Sequence, residues 1–262
     1  MRRPYWHELS LGGFALATGL ALLLKDSVPL ALLLLGGTAA FTVAAALSPP
    51  RVRLALAYLF ALGLYQSVRF VVPALSRTVI DAQLAEADLW IFGSAPSTWI
   101  SPGPVLTELL SAAYLSYQLY LHGALAHALT RPIAEATHLF ETVFAAMGVG
   151  FAGYVLFPAL GPAHAHFDGG PLTAINAWVV SNGSSVFDAF PSLHVAITAM
   201  LLAHDAKYVR RRFLVMLPIA VGLVVSTLYL RYHHAVDLLA GAALATAVVL
   251  ALRAQGPRSS PA

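Results

Sequence analysis

Eight apolar runs constrain this chain more than any other feature; they fall at roughly 9–24, 28–47, 52–75, 104–127, 136–157, 191–204, 213–230 and 234–252. A helix needs about 20 apolar residues to cross the hydrocarbon core of a bilayer. Inside lipid every backbone N–H and C=O must find a partner within the protein, so runs of this kind fold as helices. The first and sixth runs are short and are expected to borrow flanking residues or to tilt. Composition agrees: 59% of the residues are hydrophobic and 10% are charged, whereas soluble domains carry about 25% charged residues. The expectation is an all-α, multi-pass transmembrane helical bundle of about eight spans.

No linker divides the chain, and no repeat of 20 to 50 residues is visible. Residues 1–50 hold the first two spans, 51–252 a membrane core, and 253–262 a polar tail rich in Pro and Ser that is expected to be disordered. Arg2 and Arg3 before an apolar run could mark a signal peptide, but Lys25 and Asp26 follow that run without a small-residue cleavage site. An uncleaved first span is expected. The chain has no cysteine, which excludes disulfides and thiol catalysis. The net charge of +3 is spread over short loops and makes no nucleic-acid patch.

The basic residues orient the bundle. With the N-terminus inside, the inner segments hold Arg2, Arg3, Arg51, Arg53, Arg131, Lys207, Arg210, Arg211, Arg212, Arg253 and Arg258, against Lys25, Arg77 and Arg231 outside. Both termini are then cytoplasmic. The segment 158–190 has no Lys or Arg, as an outer loop should. The sixth and eighth spans both begin on the outer side, in a cell (inner) membrane the periplasmic or extracellular side.

Those two starts carry the chemistry. One reads Phe190-Pro191-Ser192-Leu193-His194, the other His233-His234-Ala235-Val236-Asp237. On a helix His233 and Asp237 lie one turn apart on one face. The carboxylate can fix the imidazole in one tautomer while His194 faces the same space. Pro191 suits a first helical turn, and Ser192 with the backbone N–H groups there forms an anion site. Ionisable residues inside a membrane are costly and functional by default. Taken singly, each string could instead be no more than a polar helix boundary.

These strings resemble the type 2 phosphatidic acid phosphatase superfamily. Its second motif, Pro-Ser-x-His, is matched by Pro191 to His194. Its third begins at Ser226, carries Thr227 where the family has arginine, and places His233 and Asp237 at the family spacing. The first motif, Lys-x6-Arg-Pro, is absent; Arg131-Pro132 lies on the inner side. That pattern is similar to the branch of the fungal inositol phosphorylceramide synthases and their bacterial relatives, as are Gly153 to Pro158, Gly161-Pro162, Phe190 and the His233-His234 pair. The resemblance implies a six-helix phosphatase-type core, no metal, no cofactor and a phosphohistidine intermediate. In it His233 attacks phosphorus, Asp237 orients His233, and His194 protonates the leaving group.

A phosphate needs cations, and Arg69, within the third run, and Arg231, two residues before His233, are the candidates; Arg77 is expected to be a surface residue. Arg69 could equally be snorkelling to the headgroups. Asp81, Glu86 and Asp88 precede Leu89-Trp90-Ile91-Phe92, expected to form an outer interfacial helix. His164 and His166 form a loop pair expected to be incidental, while His122, His127 and His138 lie toward the inner side and are excluded from the site. The expected partners are a phospholipid or other lipid-phosphate substrate and the bilayer. A metal-independent lipid phosphotransferase is expected, with a phosphatase using water as acceptor as the alternative. A proton-coupled transporter is the reading from another class; it would favour ionisable residues at broken mid-membrane helices, whereas these stand at helix mouths.

Overall fold

The computed structural model describes residues 3–75, 77–162 and 167–254. The tail after 254 and the His164–His166 pair lie outside the described residues. Among those described, ten α-helices and one short 3-10 turn account for the regular structure, and there is no strand. The helices are α1 (Trp6–Leu23), α2 (Val28–Leu47), α3 (Pro50–Ala74), α4 (Asp81–Phe92), α5 (Pro104–Ala128), α6 (Ile133–Leu156), α7 (Pro171–Gly183), α8 (Leu193–Tyr208), α9 (Arg210–Tyr229) and α10 (Ala235–Ala254).

Every apolar run is a helix. Several start at proline, as α3, α5 and α7 do, because a missing N–H costs nothing in a first turn. Gly93, at φ +73°, ends α4 in the left-handed conformation that glycine adopts without strain. Five of the described helices, α2, α3, α6, α9 and α10, are long and apolar enough to cross a membrane by length and composition. α4 forms over the segment where a helix was expected. α7 was not expected, since 158–190 reads as a loop.

α6 is the hub. It packs against α1, α3, α5, α8 and α10, and Phe140, Phe144 and Phe151 along it are fully buried. Around it stand Leu11 of α1, Val68 of α3, and Ile197 and Leu201 of α8. The outside of the bundle is apolar instead: Leu33, Leu59, Phe70, Val215 and Leu119 project from it, Leu119 with 79% of its surface open. In water so much exposed apolar surface would be an association hazard. Facing lipid, it is the expected surface of a membrane protein.

The two ends of the bundle differ. One end gathers the basic residues. Arg53 pairs with Glu8 at 2.5 Å, Arg51 donates to the Leu129 and Arg131 carbonyls, and Arg212 pairs with Asp205 at 2.5 Å. The opposite end gathers the C-terminal ends of α3, α6 and α9, the starts of α5, α8 and α10, and the helices α4 and α7. Bonds such as Ile80 N–H to the Pro158 carbonyl (2.9 Å) and Ala235 N–H to Asp88 (2.9 Å) tie that end together.

Candidate active site

The site forms where α8 and α10 begin. α8 starts at Leu193, with Ser192 capping it and accepting the Val195 N–H at 3.5 Å. Pro191 therefore lies just outside the helix rather than in its first turn, as its spacing predicts. α10 starts at Ala235, so His233 precedes the helix instead of riding on it. The one-turn geometry is kept by the backbone: the N–H groups of Tyr232 and His233 both donate to the Thr227 carbonyl, at 3.0 and 3.1 Å.

His233 and Asp237 meet, with Nδ1 to Oδ2 at 3.3 Å. The same Asp237 oxygen accepts the His234 N–H at 2.8 Å. This is the acidic half of a capping box, an N3 carboxylate reaching back to the residue before the helix. The other face of the imidazole points away from Asp237. His233 Nε2 lies 3.3 Å from His194 Nδ1 and 3.3 Å from Ser192 Oγ. The His194 ring packs on Tyr114 and Tyr117, with ring centres 5.0 and 4.5 Å away. His233, Asp237 and Ser192 are buried.

The two strings are held together through the main chain. Ser192 N–H donates to the Asp237 carbonyl at 3.0 Å. Gly241 lets α10 lie against Ser192, since a Cβ there would stand 2.2 Å from the Ser192 carbonyl oxygen. The two histidines open onto one cavity of about 900 Å³ that runs inward between α3, α5, α6 and α8.

A family model described as the PAP2 superfamily matches residues 81–251. The chain belongs to the PAP2 superfamily. No curated protein and no solved structure matches it. Membership in the PAP2 superfamily, together with the apolar helices, suggests a membrane enzyme of the lipid-phosphatase type. The matched segment opens at the first residue of α4, so α1 to α3 precede it.

Against the PAP2 motifs, the structure brings together His194, Ser192, His233 and Asp237. Thr227, at the place of the third-motif arginine, is buried, and its hydroxyl donates to the Val224 carbonyl at 2.8 Å. Among the described residues, no hydrogen bond joins Arg69 or Arg231 to the histidines. Arg69 donates to the Ser184 carbonyl at 2.6 Å. Arg231 sits at φ +58° with its guanidinium 5.9 Å above the Phe167 ring, and its Nε makes no hydrogen bond. Neither lines the cavity, although Phe167 does.

The roles of several residues at the site escape the sequence reading. Asp88 is fully buried and accepts the N–H groups of Ala235 and Val236, both at 2.9 Å, so it caps α10 from another helix. Asp81 accepts the N–H groups of Leu160 (3.0 Å) and Gly161 (2.8 Å). His234 stands between these carboxylates, 3.7 Å from Asp81 and 3.9 Å from Asp88. Burial pushes the Asp81 carboxyl up, but the nearby His234 ring, 3.7 Å away, and the hydrogen bonds from the two backbone N–H groups outweigh that and hold it below the ordinary range. The excluded His122 also lines the cavity, at its inner end, bonded to Tyr58 and Gln118 at 3.0 Å each. A stripe at 114, 117, 118, 121 and 122 repeats at helical spacing along α5 and could have marked that cavity-facing side.

Proposed function

We propose that this protein transfers a phosphoryl or headgroup-phosphate unit from a lipid phosphate ester to a lipid or polyol hydroxyl through a phosphohistidine, in the manner of inositol phosphorylceramide synthases. The observation that carries the reading is the two-sided setting of His233. Asp237 holds Nδ1 at 3.3 Å and so presents Nε2 as the nucleophilic nitrogen, with His194 3.3 Å away. In the first step His233 Nε2 bonds to phosphorus, the phosphorus–oxygen bond to the lipid alcohol breaks, and His194 delivers the proton to that oxygen. Asp237 stabilises the imidazolium-like charge on His233. In the second step the acceptor oxygen displaces His233, and His194 takes the acceptor's proton. The scheme needs no metal ion. Ser192 and Arg231 are proposed to face the phosphate oxygens, with the unused Arg231 Nε as a donor, and Arg69 to hold the Ser184 carbonyl in place and, less directly, the phosphate.

Hydrolysis is the same chemistry with water as acceptor. The apolar inner part of the cavity, lined by Leu121, Phe144, Met147, Phe151 and Ile197, favours a lipid chain there and supports transfer. The site is proposed to face the periplasm or cell exterior, with the basic end cytoplasmic and about eight spans across the membrane.

The test is a chemical trap. Purified protein given phosphate-labelled phospholipid and quenched in alkali should hold an acid-labile, alkali-stable label. His233→Ala should lose both the label and turnover, the latter by more than the roughly 10²–10⁴-fold typical of a lost acid or base. A folded His233→Ala protein with wild-type turnover would overturn the reading.

A further inference from the structure

The cavity wall beside the histidines has a chemistry of its own. Among its described lining residues there is no Lys or Arg, and the single carboxylate is Asp188. Tyr65, Tyr114, Tyr117, Tyr154 and Tyr232 line the same space. Asp188 belongs to the segment after α7 and meets Tyr65 of α3. Its Oδ2 accepts the Tyr65 hydroxyl and, at 3.2 Å, the Ser185 N–H; the Ser184 hydroxyl bonds both oxygens, at 3.1 and 3.2 Å. All these donors are neutral. Oδ1 has only Ser184 among the described residues and keeps room for a further donor. Arg69 donates to the Ser184 carbonyl, and no described ion pair includes Asp188.

A partly buried carboxylate without a cation is unfavourable, and a phosphate ester arriving at His233 adds a second negative charge to the same low-dielectric space. Arg231 and Arg69 are assigned to the phosphate, so the charge left over is that of Asp188, and the substrate can relieve it if it brings its own cation. Tyrosine ring faces attract ammonium groups, and several of them around a carboxylate form the arrangement that recognises such groups. We propose that the lipid donor carries an ammonium on its headgroup, as ethanolamine or choline phosphoesters do, and that Asp188 with the surrounding tyrosines is the subsite that holds it. This rests on the transfer reading above and names its donor class. When the bond from phosphorus to the diacylglycerol oxygen breaks and His194 protonates that oxygen, the headgroup stays esterified to phosphorus on His233. Its ammonium remains at Asp188 until the acceptor takes the unit. A polyol headgroup would offer hydroxyls to the same carboxylate but would leave its charge uncompensated.

Diacylglycerol release by the purified full-length protein in mixed micelles tests this, with phosphatidylethanolamine, phosphatidylcholine, phosphatidylglycerol and phosphatidylinositol of one acyl composition. The ammonium lipids should be preferred in kcat/KM, and Asp188→Asn should reduce that preference about tenfold, mainly through KM, the scale of a cation–π and carboxylate contact. Equal turnover of all four lipids by the wild type overturns the proposal, even if Asp188→Asn does not fold. So does an Asp188→Asn protein that loses activity on all four in parallel, because a purely structural role would do that. Binding of short-chain phosphatidylcholine against phosphatidylglycerol to His233→Ala separates the two readings. Preference for the choline lipid there, without a phosphohistidine in the wild type, would sink the transfer scheme and leave the subsite standing. A phosphohistidine formed without headgroup preference would do the reverse.

Discussion

His233 stands ahead of its helix, so its position depends on the four residues before it and on whatever touches them. Gly161 is one such neighbour. It sits at φ +87°, and a Cβ there would lie 2.3 Å from the Tyr232 carbonyl oxygen. Gly161→Ala therefore strains the backbone at 161 and pushes the residue before His233. We expect a stability loss of about 1 kcal/mol or more and a larger effect on turnover, since a shift of about 1 Å in a reacting group can cost about 10²-fold. Gly63→Ala, where nothing lies within 4 Å, should do neither. Melting temperature and turnover of the two purified variants decide it; equal behaviour would mean that Gly161 does not position His233. The histidines and Asp237 were legible because their spacing is local to two short strings. Asp188 and Tyr65 were not, because they are 123 residues apart and meet only once α3 and the segment before α8 are packed.

At the scale of elements, two helices at this end are capped by carboxylates that belong to other helices. Asp88 of α4 takes the first N–H groups of α10. Glu108 of α5 accepts those of Gly170, Leu172 and Thr173 at the start of α7, at 2.7, 2.8 and 3.0 Å. Such caps satisfy the orphan donors of a helix start, yet they cannot be read from the sequence around the helix they cap. That is one reason α7 was missed: residues 171–183 mix Asn, Ser and Thr with apolar residues, and the carboxylate that holds their first turn is over 60 positions away. α4 is a helix where the sequence leads one to expect it, but an acidic residue beside Leu89-Trp90-Ile91-Phe92 gives no sign of burial, whereas Asp88 is 1% exposed. Asp88→Ala should cost about 0.5–2 kcal/mol, the range of a lost cap, and should lower turnover further because α10 carries Asp237. Asp88→Asn, which can still accept from the backbone, should recover part of both. Thermal unfolding in detergent alongside turnover checks this; full activity in a destabilised Asp88→Ala protein would show that α4 anchors the fold without tuning the site.

Across the whole molecule, charge and chemistry separate to opposite ends. Arg51, Arg53, Arg131 and Arg212 are bonded at one end, and His194 and His233 open at the other. The apolar runs and the positive residues between them made this polarity legible, because both follow from local composition. The course of the cavity did not follow from them, since it depends on how α3, α5 and α8 splay around α6. The separation has a consequence in a cell. Lys and Arg are retained on the cytoplasmic side of short loops, so the basic end should be inside and the histidines should act on lipids of the outer leaflet. The chain has no cysteine, which makes single-cysteine variants clean reporters. Asp168 and Lys207 are both exposed and stand at opposite ends. A membrane-impermeant thiol reagent applied to intact cells should label Asp168→Cys and spare Lys207→Cys until the membrane is opened. Labelling of Lys207→Cys alone would invert the bundle, put the histidines in the cytoplasm, and require the donor lipid to come from the inner leaflet.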